Sequence, residues 1–167
     1  MKKININGYL EDIIERSDYP LERCRDILAK EVTAILGYGP QGSGQSLNMR
    51  DQGFNVILGL RKGSSWEKAL SDGWLIGENL FEIEEAVKRG TIIQFLLSDA
   101  GQIHAWQIVK ENLSPGNALY FSHGFGIVFN EQTKIEPPKD IDVILVAPKG
   151  SGLTVRTHFL QGRGINA

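Results

Sequence analysis

A glycine-rich turn, Gly37-Tyr38-Gly39-Pro40-Gln41-Gly42, does most to limit what this chain can fold into. It follows a short apolar run (Val32, Ala34, Ile35, Leu36) and precedes a polar, helix-compatible stretch, 45–51, stopped by Gly53. A second apolar run, Val56-Ile57-Leu58-Gly59-Leu60, comes next. Continuous apolar strands joined through helices belong to a parallel sheet covered on both faces. The glycines have the spacing GxGxxG. In that pattern the first permits a tight turn, the second lets a pyrophosphate approach the backbone, and the third lets helix and strand pack closely. A helix that starts there offers free N–H groups and the positive end of its dipole to phosphates. Alone the pattern is common. Between a strand and a helix it predicts a dinucleotide site, against the plainer alternative of a glycine turn without a ligand.

The alternation continues along the chain. Helices are predicted over 65–70 and 80–89, the second with acids early, Lys88 and Arg89 late and Gly90 as its cap. A buried strand is predicted over 91–97, a helix over 100–112, a turn at Leu113-Ser114-Pro115-Gly116, and strands over 118–121 and 143–146. Pro137-Pro138 marks a connecting loop. The first thirty or so residues read as two short helices, with Pro20 in the first turn of the second and Leu21, Cys24, Ile27 and Leu28 on one face. The expected architecture is a helical extension, 1–30, followed over 31–167 by a Rossmann-type, doubly wound, mainly parallel sheet with helices on both faces.

The formal net charge of -2 argues against a nucleic-acid partner, which needs a basic face to displace counterions from phosphates. No apolar stretch approaches the roughly 20 residues that span a bilayer. The N-terminal stretch turns acidic before any apolar run and does not read as a secretory signal. A lone cysteine, Cys24, cannot form an internal disulfide and suits a reducing compartment, so the expectation is a soluble protein of the cytoplasm or of an organelle stroma or matrix.

Cofactor choice is read at the end of the second strand. Where an NAD site places Asp or Glu, this chain has Leu60-Arg61-Lys62-Gly63-Ser64-Ser65. Arg61 can pair a 2′-phosphate bidentately, and Ser64 and Ser65 add donors, so the loop predicts NADP(H). A solvated basic loop is the alternative. Asp99-Ala100-Gly101-Gln102 follows a strand where polar groups meet a cofactor's ribose or pyrophosphate. In Ser122-His123-Gly124, the imidazole is placed either to move a proton near neutral pH or simply to bond a loop carbonyl. Lys149, between Pro148 and Gly150, either holds an anionic group or is solvated. His104 and His158 fall within helical segments and read as structural or surface residues. Glu82, Glu84 and Glu85 read as a solvated helix face, and no metal ligand is assigned.

Taken in order, GYGPQG, LRKGSSW, LLSDAGQ, YFSHGFG, VILVAPKGSG and LQGRG resemble the segments of ketol-acid reductoisomerase, the acetohydroxyacid isomeroreductase of branched-chain amino-acid synthesis. The resemblance covers nearly everything from Glu31 onward. It implies NADPH-dependent reduction coupled to a Mg²⁺-dependent alkyl shift of 2-acetolactate or 2-aceto-2-hydroxybutyrate, with the metal polarising substrate oxygens. It places Tyr38, Gly39, Pro40 and Gln41 at the phosphate turn, and Arg61, Ser64 and Ser65 at the 2′-phosphate. Asp99, Ala100, Gly101 and Gln102 fall at a further cofactor segment. His123 matches the active-site histidine, Lys149 a polar active-site lysine, and Gly152 a cofactor contact. Two departures are visible: the loop after Arg61 is one residue shorter than the common form, and position 40 is proline where serine is frequent. The family's Mg²⁺ ligands are carboxylates of a helical C-terminal domain. The resemblance therefore implies that residues 1–167 stop ahead of that domain and ahead of the last strands of the sheet, and that they are inactive alone. The complete enzyme is expected to be a homo-oligomer. Competing readings are a non-catalytic NADP-binding module and another NADP-linked reductase of the β-hydroxyacid dehydrogenase type. HGF and APKGSG speak against the latter.

Overall fold

A computed structural model describes residues 2–167. The chain forms two units, a first ending at Lys30 and a second, Glu31–Ala167.

The first unit departs from the helical reading. It holds an antiparallel hairpin of β1 (Lys2–Ile6) and β2 (Tyr9–Ile13), then a single helix α1 (Leu21–Ile27). The reason is Asn7-Gly8. Both residues take positive φ, 51° and 93°, as a two-residue hairpin turn of the primed type requires. Asn-Gly between strands whose residues alternate is the strongest local hairpin signal, and it outweighs the weak helical spacing. The Gly8 amide donates to the Asn5 side-chain oxygen at 2.8 Å, which closes the turn.

The second unit contains β3 (Thr33–Leu36), α2 (Pro40–Asp51), β4 (Val56–Gly59), α3 (Ser64–Ser71), β5 (Leu80–Phe81), α4 (Ile83–Arg89), β6 (Ile92–Phe95) and α5 (Asp99–Asn112). It continues with β7 (Ala118–Phe121), α6 (Phe125–Val128), α7 (Asn130–Thr133), β8 (Asp142–Leu145) and α8 (Gly152–Leu160). The six strands are all parallel, in the order β5-β4-β3-β6-β7-β8. Renumbered from β3, this is 3-2-1-4-5-6, the order of two mononucleotide-binding halves that meet where the winding reverses. The expected parallel sheet with helices on both faces is what the chain forms. Because successive residues of a strand face opposite ways, Ala34 and Leu36 enter the core under α4 and α5, while Ile35 enters the core under α2 and α3.

Two details of the prediction change. The segment 80–89 is a two-residue strand, Leu80–Phe81, followed by the helix from Ile83, because Leu80 pairs with Leu58 at the sheet edge. Gly90 ends that helix with an ordinary φ of -76°, so no left-handed cap explains it. A Cβ there would meet Ile93 Cδ1 at 2.5 Å and Ala34 Cβ at 2.7 Å, so close packing of helix on strand explains the glycine.

Candidate functional site

The C-terminal ends of β3, β4, β6 and β7 open onto one crevice. Its first part, about 420 Å³, is lined by the glycine turn, by Leu60 to Ser65 and by Leu96, Leu97 and Ser98. Its second part, about 350 Å³, shares Gly39, Leu96, Leu97 and Ser98 with the first, and adds Pro40, Gln41, Ser122, His123, Ser151 and Gly152. The glycine turn, Arg61 and His123, some eighty residues apart in sequence, therefore face the same space. A third cleft, about 340 Å³ and mostly apolar, continues past Leu60, Arg61 and Lys62 toward Ile83, Gly101, His104, Ala105 and Ile108.

Each glycine of the turn has its own reason. Gly37 has φ 101°, and a Cβ on it would lie 2.8 Å from the Leu96 carbonyl oxygen. At Gly42 a Cβ would come within 2.1 Å of the Gly37 carbonyl oxygen. Gly39 is different: nothing lies within 4 Å of a Cβ there, and its φ is -70°. Neither backbone conformation nor packing within the protein asks for glycine at 39. The space beside the Gly39 backbone is open to the crevice. Pro40 occupies the first turn of α2, where a missing N–H breaks no helical bond. The amides of Gln41 and Gly42 remain to face an anion.

On the basic side, Gly63, with φ 142°, leads directly into α3, so Ser64 and Ser65 form the first helical positions beside Arg61. Arg61, Lys62, Gly63 and Ser64 are exposed. Across the sheet, Ser98 caps α5, its hydroxyl accepting from the Gly101 amide at 3.3 Å. His123 is half exposed, and its Nε2 lies 3.6 Å from Asp99 Oδ1. That is beyond hydrogen-bond range, so the pair is linked by charge when the imidazole is protonated.

Four of the predicted site residues, Tyr38, Gln102, Lys149 and Ala100, are placed differently from the rest. Tyr38 is 3% exposed, and its hydroxyl donates to Asp72 at 2.9 Å and accepts from Trp74 Nε1 at 2.9 Å, so its side chain holds the turn from beneath. Burial first, then the hydrogen bond to the Asp72 carboxylate, push the Tyr38 hydroxyl well above the ordinary tyrosine value. Gln102 is 2% exposed, and its amide donates to the Phe95 and Leu97 carbonyls at 3.1 Å, so it clamps the end of β6 from inside. Lys149 is exposed and does not line the part of the crevice that holds His123; its amide donates to the Asn166 carbonyl at 2.7 Å. Ala100 is exposed and lines none of these walls, while Gly101 lines the apolar cleft. Gly152 does reach the crevice, under tight constraint: a Cβ would lie 1.8 Å from the Pro40 carbonyl oxygen. Leu97, Ser98, Ser122 and Ser151 line the crevice and lie inside the motif segments, which by themselves assign them no role. The one signal that could have found them is position, since each sits just beyond a strand or before a helix.

A six-stranded doubly wound sheet with a glycine turn at its switch point defines a dinucleotide-binding domain. Residues 27–167 match the family model described as "Acetohydroxy acid isomeroreductase, NADPH-binding domain", and the chain belongs to that family. The whole chain is 55% identical to the probable mitochondrial ketol-acid reductoisomerase of Schizosaccharomyces pombe, of which it covers 42%. It is 54% identical to the ketol-acid reductoisomerase (NAD(+)) of Desulfosudis oleivorans, of which it covers 48%. Among solved structures it resembles an NADH-preferring ketol-acid reductoisomerase from an uncultured archaeon, with a TM-score of 0.76 and 38% identity over 83% of this chain and 42% of that one. The chain thus spans less than half the length of these relatives. No helix among the described residues is long and apolar enough to cross a membrane.

Proposed function

We propose that this chain is the NADP(H)-holding part of a ketol-acid reductoisomerase acting on acetohydroxyacids such as 2-acetolactate. The observation that carries the reading is the shared crevice: the open space at Gly39, the Arg61–Ser65 loop and His123 all face it. In this reading the pyrophosphate lies against Gly39 and the start of α2, where amides and the helix dipole oppose its charge. Arg61 pairs the 2′-phosphate, with Ser64 and Ser65 donating. The mostly apolar cleft beyond Arg61 receives the adenine. The nicotinamide end then lies toward Leu97, Ser98 and His123, and the bound cofactor supplies the hydride. His123 holds or moves a proton at its imidazole beside the substrate, with Asp99 Oδ1 3.6 Å from its Nε2.

Among the described residues, no three His, Cys, Asp or Glu side chains gather as a metal-binding group. These residues do not by themselves fit a magnesium site. The substrate, a homo-oligomeric whole enzyme, and a cytoplasmic or organellar location belong to the same proposal. For location, support comes from the fungal relative, which is named mitochondrial.

NADPH preference is the part most open to test, since relatives with either cofactor name match this chain. Hydrogen bonds to charged groups contribute about 1.5–3 kcal/mol, so Arg61→Ala should weaken NADPH roughly ten- to hundredfold in a calorimetric titration. NADH should change little. Equal binding of both cofactors before and after substitution would remove the assignment.

A further inference from the structure

A side-chain network lies beneath the crevice and joins its two anion-facing parts, and of its members only Tyr38 belongs to a motif. Tyr38 sits in the glycine turn, and Asp72 follows the last residue of α3, whose other end carries Ser64 and Ser65. The Asp72 carboxylate accepts from the Tyr38 hydroxyl at 2.9 Å and from Lys68 Nζ at 2.8 Å. Its main-chain oxygen accepts from Arg50 at 2.9 Å, which ties the same point to the end of α2. Trp74, 1% exposed, donates to Tyr38 and stacks edge-on to it, while the Arg50 guanidinium lies 4.7 Å over the Trp74 ring and Lys68 lies 4.8 Å over the Tyr38 ring. Burial draws the Asp72 carboxyl upward, but the hydrogen bonds from Lys68 and Tyr38 outweigh it and leave the group below its usual value, hence ionised near neutral pH.

The geometry of this network matters because α3 is short and carries its polar anchor at one end only. Trp66 and Ala69 bury its apolar face, which resists lifting from the sheet but resists sliding and rotation less. The polar anchor at Asp72 supplies that resistance, and it does so against Tyr38, the residue beside Gly39. A dinucleotide with a 2′-phosphate must meet both Gly39 and the start of α3 at once, so it reads the distance between them. A dinucleotide without that phosphate meets only the first.

We propose that Asp72 is a positioning residue that sets selectivity for 2′-phosphorylated dinucleotides by locking α3 to the glycine turn through Tyr38. The inference rests on the cofactor reading above and adds a determinant that touches no ligand. Losing the anchor leaves the pyrophosphate cradle on α2 intact and lets the 2′-phosphate cradle drift.

The test is titration of NADPH and NADH into this chain and into Asp72→Ala, Asp72→Asn and Tyr38→Phe variants. With a charged hydrogen bond as the anchor, Asp72→Ala should weaken NADPH about tenfold while NADH stays within about twofold. Asp72→Asn, whose amide oxygen still accepts from Tyr38, should fall between. Adding Tyr38→Phe to Asp72→Ala should cost little more, since the two act as one unit. If Asp72→Ala does not fold, the near-isosteric asparagine and phenylalanine variants decide the matter by the same ratio. A parallel drop for both cofactors, or an unchanged ratio, would mean that Asp72 merely stabilises the fold, and the proposal falls. Should the unsubstituted chain fail to prefer NADPH, the cofactor reading itself fails, which is a different result.

Discussion

All four positions of β4 are buried, and all four of β8 are exposed, although both strands are built mainly of Val, Ile and Leu. On the β4 side, Trp66, Trp74, Leu80 and Ala69 close the sheet face under α2 and α3. On the β8 side, Val143, Ile144 and Leu145 are 46%, 40% and 58% exposed. The half that faces the proposed nucleotide is thus self-supporting in its packing. The half that carries His123 is secured chiefly by β7 and by the seam between α2 and α8. Cofactor recognition is built where the core is dense, so its geometry is held by burial. The histidine follows β7, whose last three residues are buried, and the uncovered strand is β8 beyond it.

The sharpest way to break this contrast is truncation of matched leucines. Leu58→Ala removes a fully buried side chain and should cost about 2–5 kcal/mol in chemical denaturation. Leu145→Ala, at an exposed position, should stay within about 0.5 kcal/mol. Equal losses would show that β8 is covered in solution. The seam comes next. A Cβ on Gly152 would strike the Pro40 carbonyl, and one on Gly44 would lie 2.4 Å from the Gly152 oxygen, so Gly152→Ala should destabilise by about 1–3 kcal/mol and weaken dinucleotide binding as α2 shifts. Unchanged binding would uncouple the two halves. Arg156 crosses the same seam, 2.7 Å from Asp51 and 2.9 Å from the Asn48 side-chain oxygen. With both partners partly exposed, Arg156→Ala should cost no more than about 1 kcal/mol, less at high salt, as a thermal melt would report.

The smallest effect concerns alkaline pH. The Tyr38 hydroxyl is raised in the folded chain, mainly by burial. Below the ordinary tyrosine value both folded and unfolded forms keep the proton, and the stabilisation is fully present. As pH rises past that value the unfolded form releases its proton first, so stability declines toward the folded value. Urea midpoints measured from neutral to alkaline pH should fall less steeply for Tyr38→Phe than for the unsubstituted chain. An identical slope would show that Tyr38 is not the group responsible.

Much of the architecture could be read from residue order, because its signals are local. The strand runs around Ile35, Leu58 and Ile93 were visible as continuous apolar stretches, and the glycine spacing marked the turn between the first strand and its helix. The hairpin at Asn7-Gly8 was equally local and was overlooked in favour of weak helical spacing. At the site, Arg61, Ser64, Ser65, Gly39 and His123 came from motifs and lie on the crevice. Lys149 came from the same kind of reading and lies outside the part that holds His123.

What residue order determined, then, is the set of segments and the chemistry each carries, since propensity, periodicity and turn stereochemistry act over a few neighbouring residues. Which way a side chain points was decided only in three dimensions. Tyr38 and Gln102 belong to ligand-binding motifs yet face inward, toward Asp72, Trp74 and the β6 carbonyls. Asp72 belongs to no motif yet ties the end of α3 to Tyr38 in the glycine turn. Burial and hydrogen bonding depend on residues distant in the chain, and only the assembled sheet brings those together.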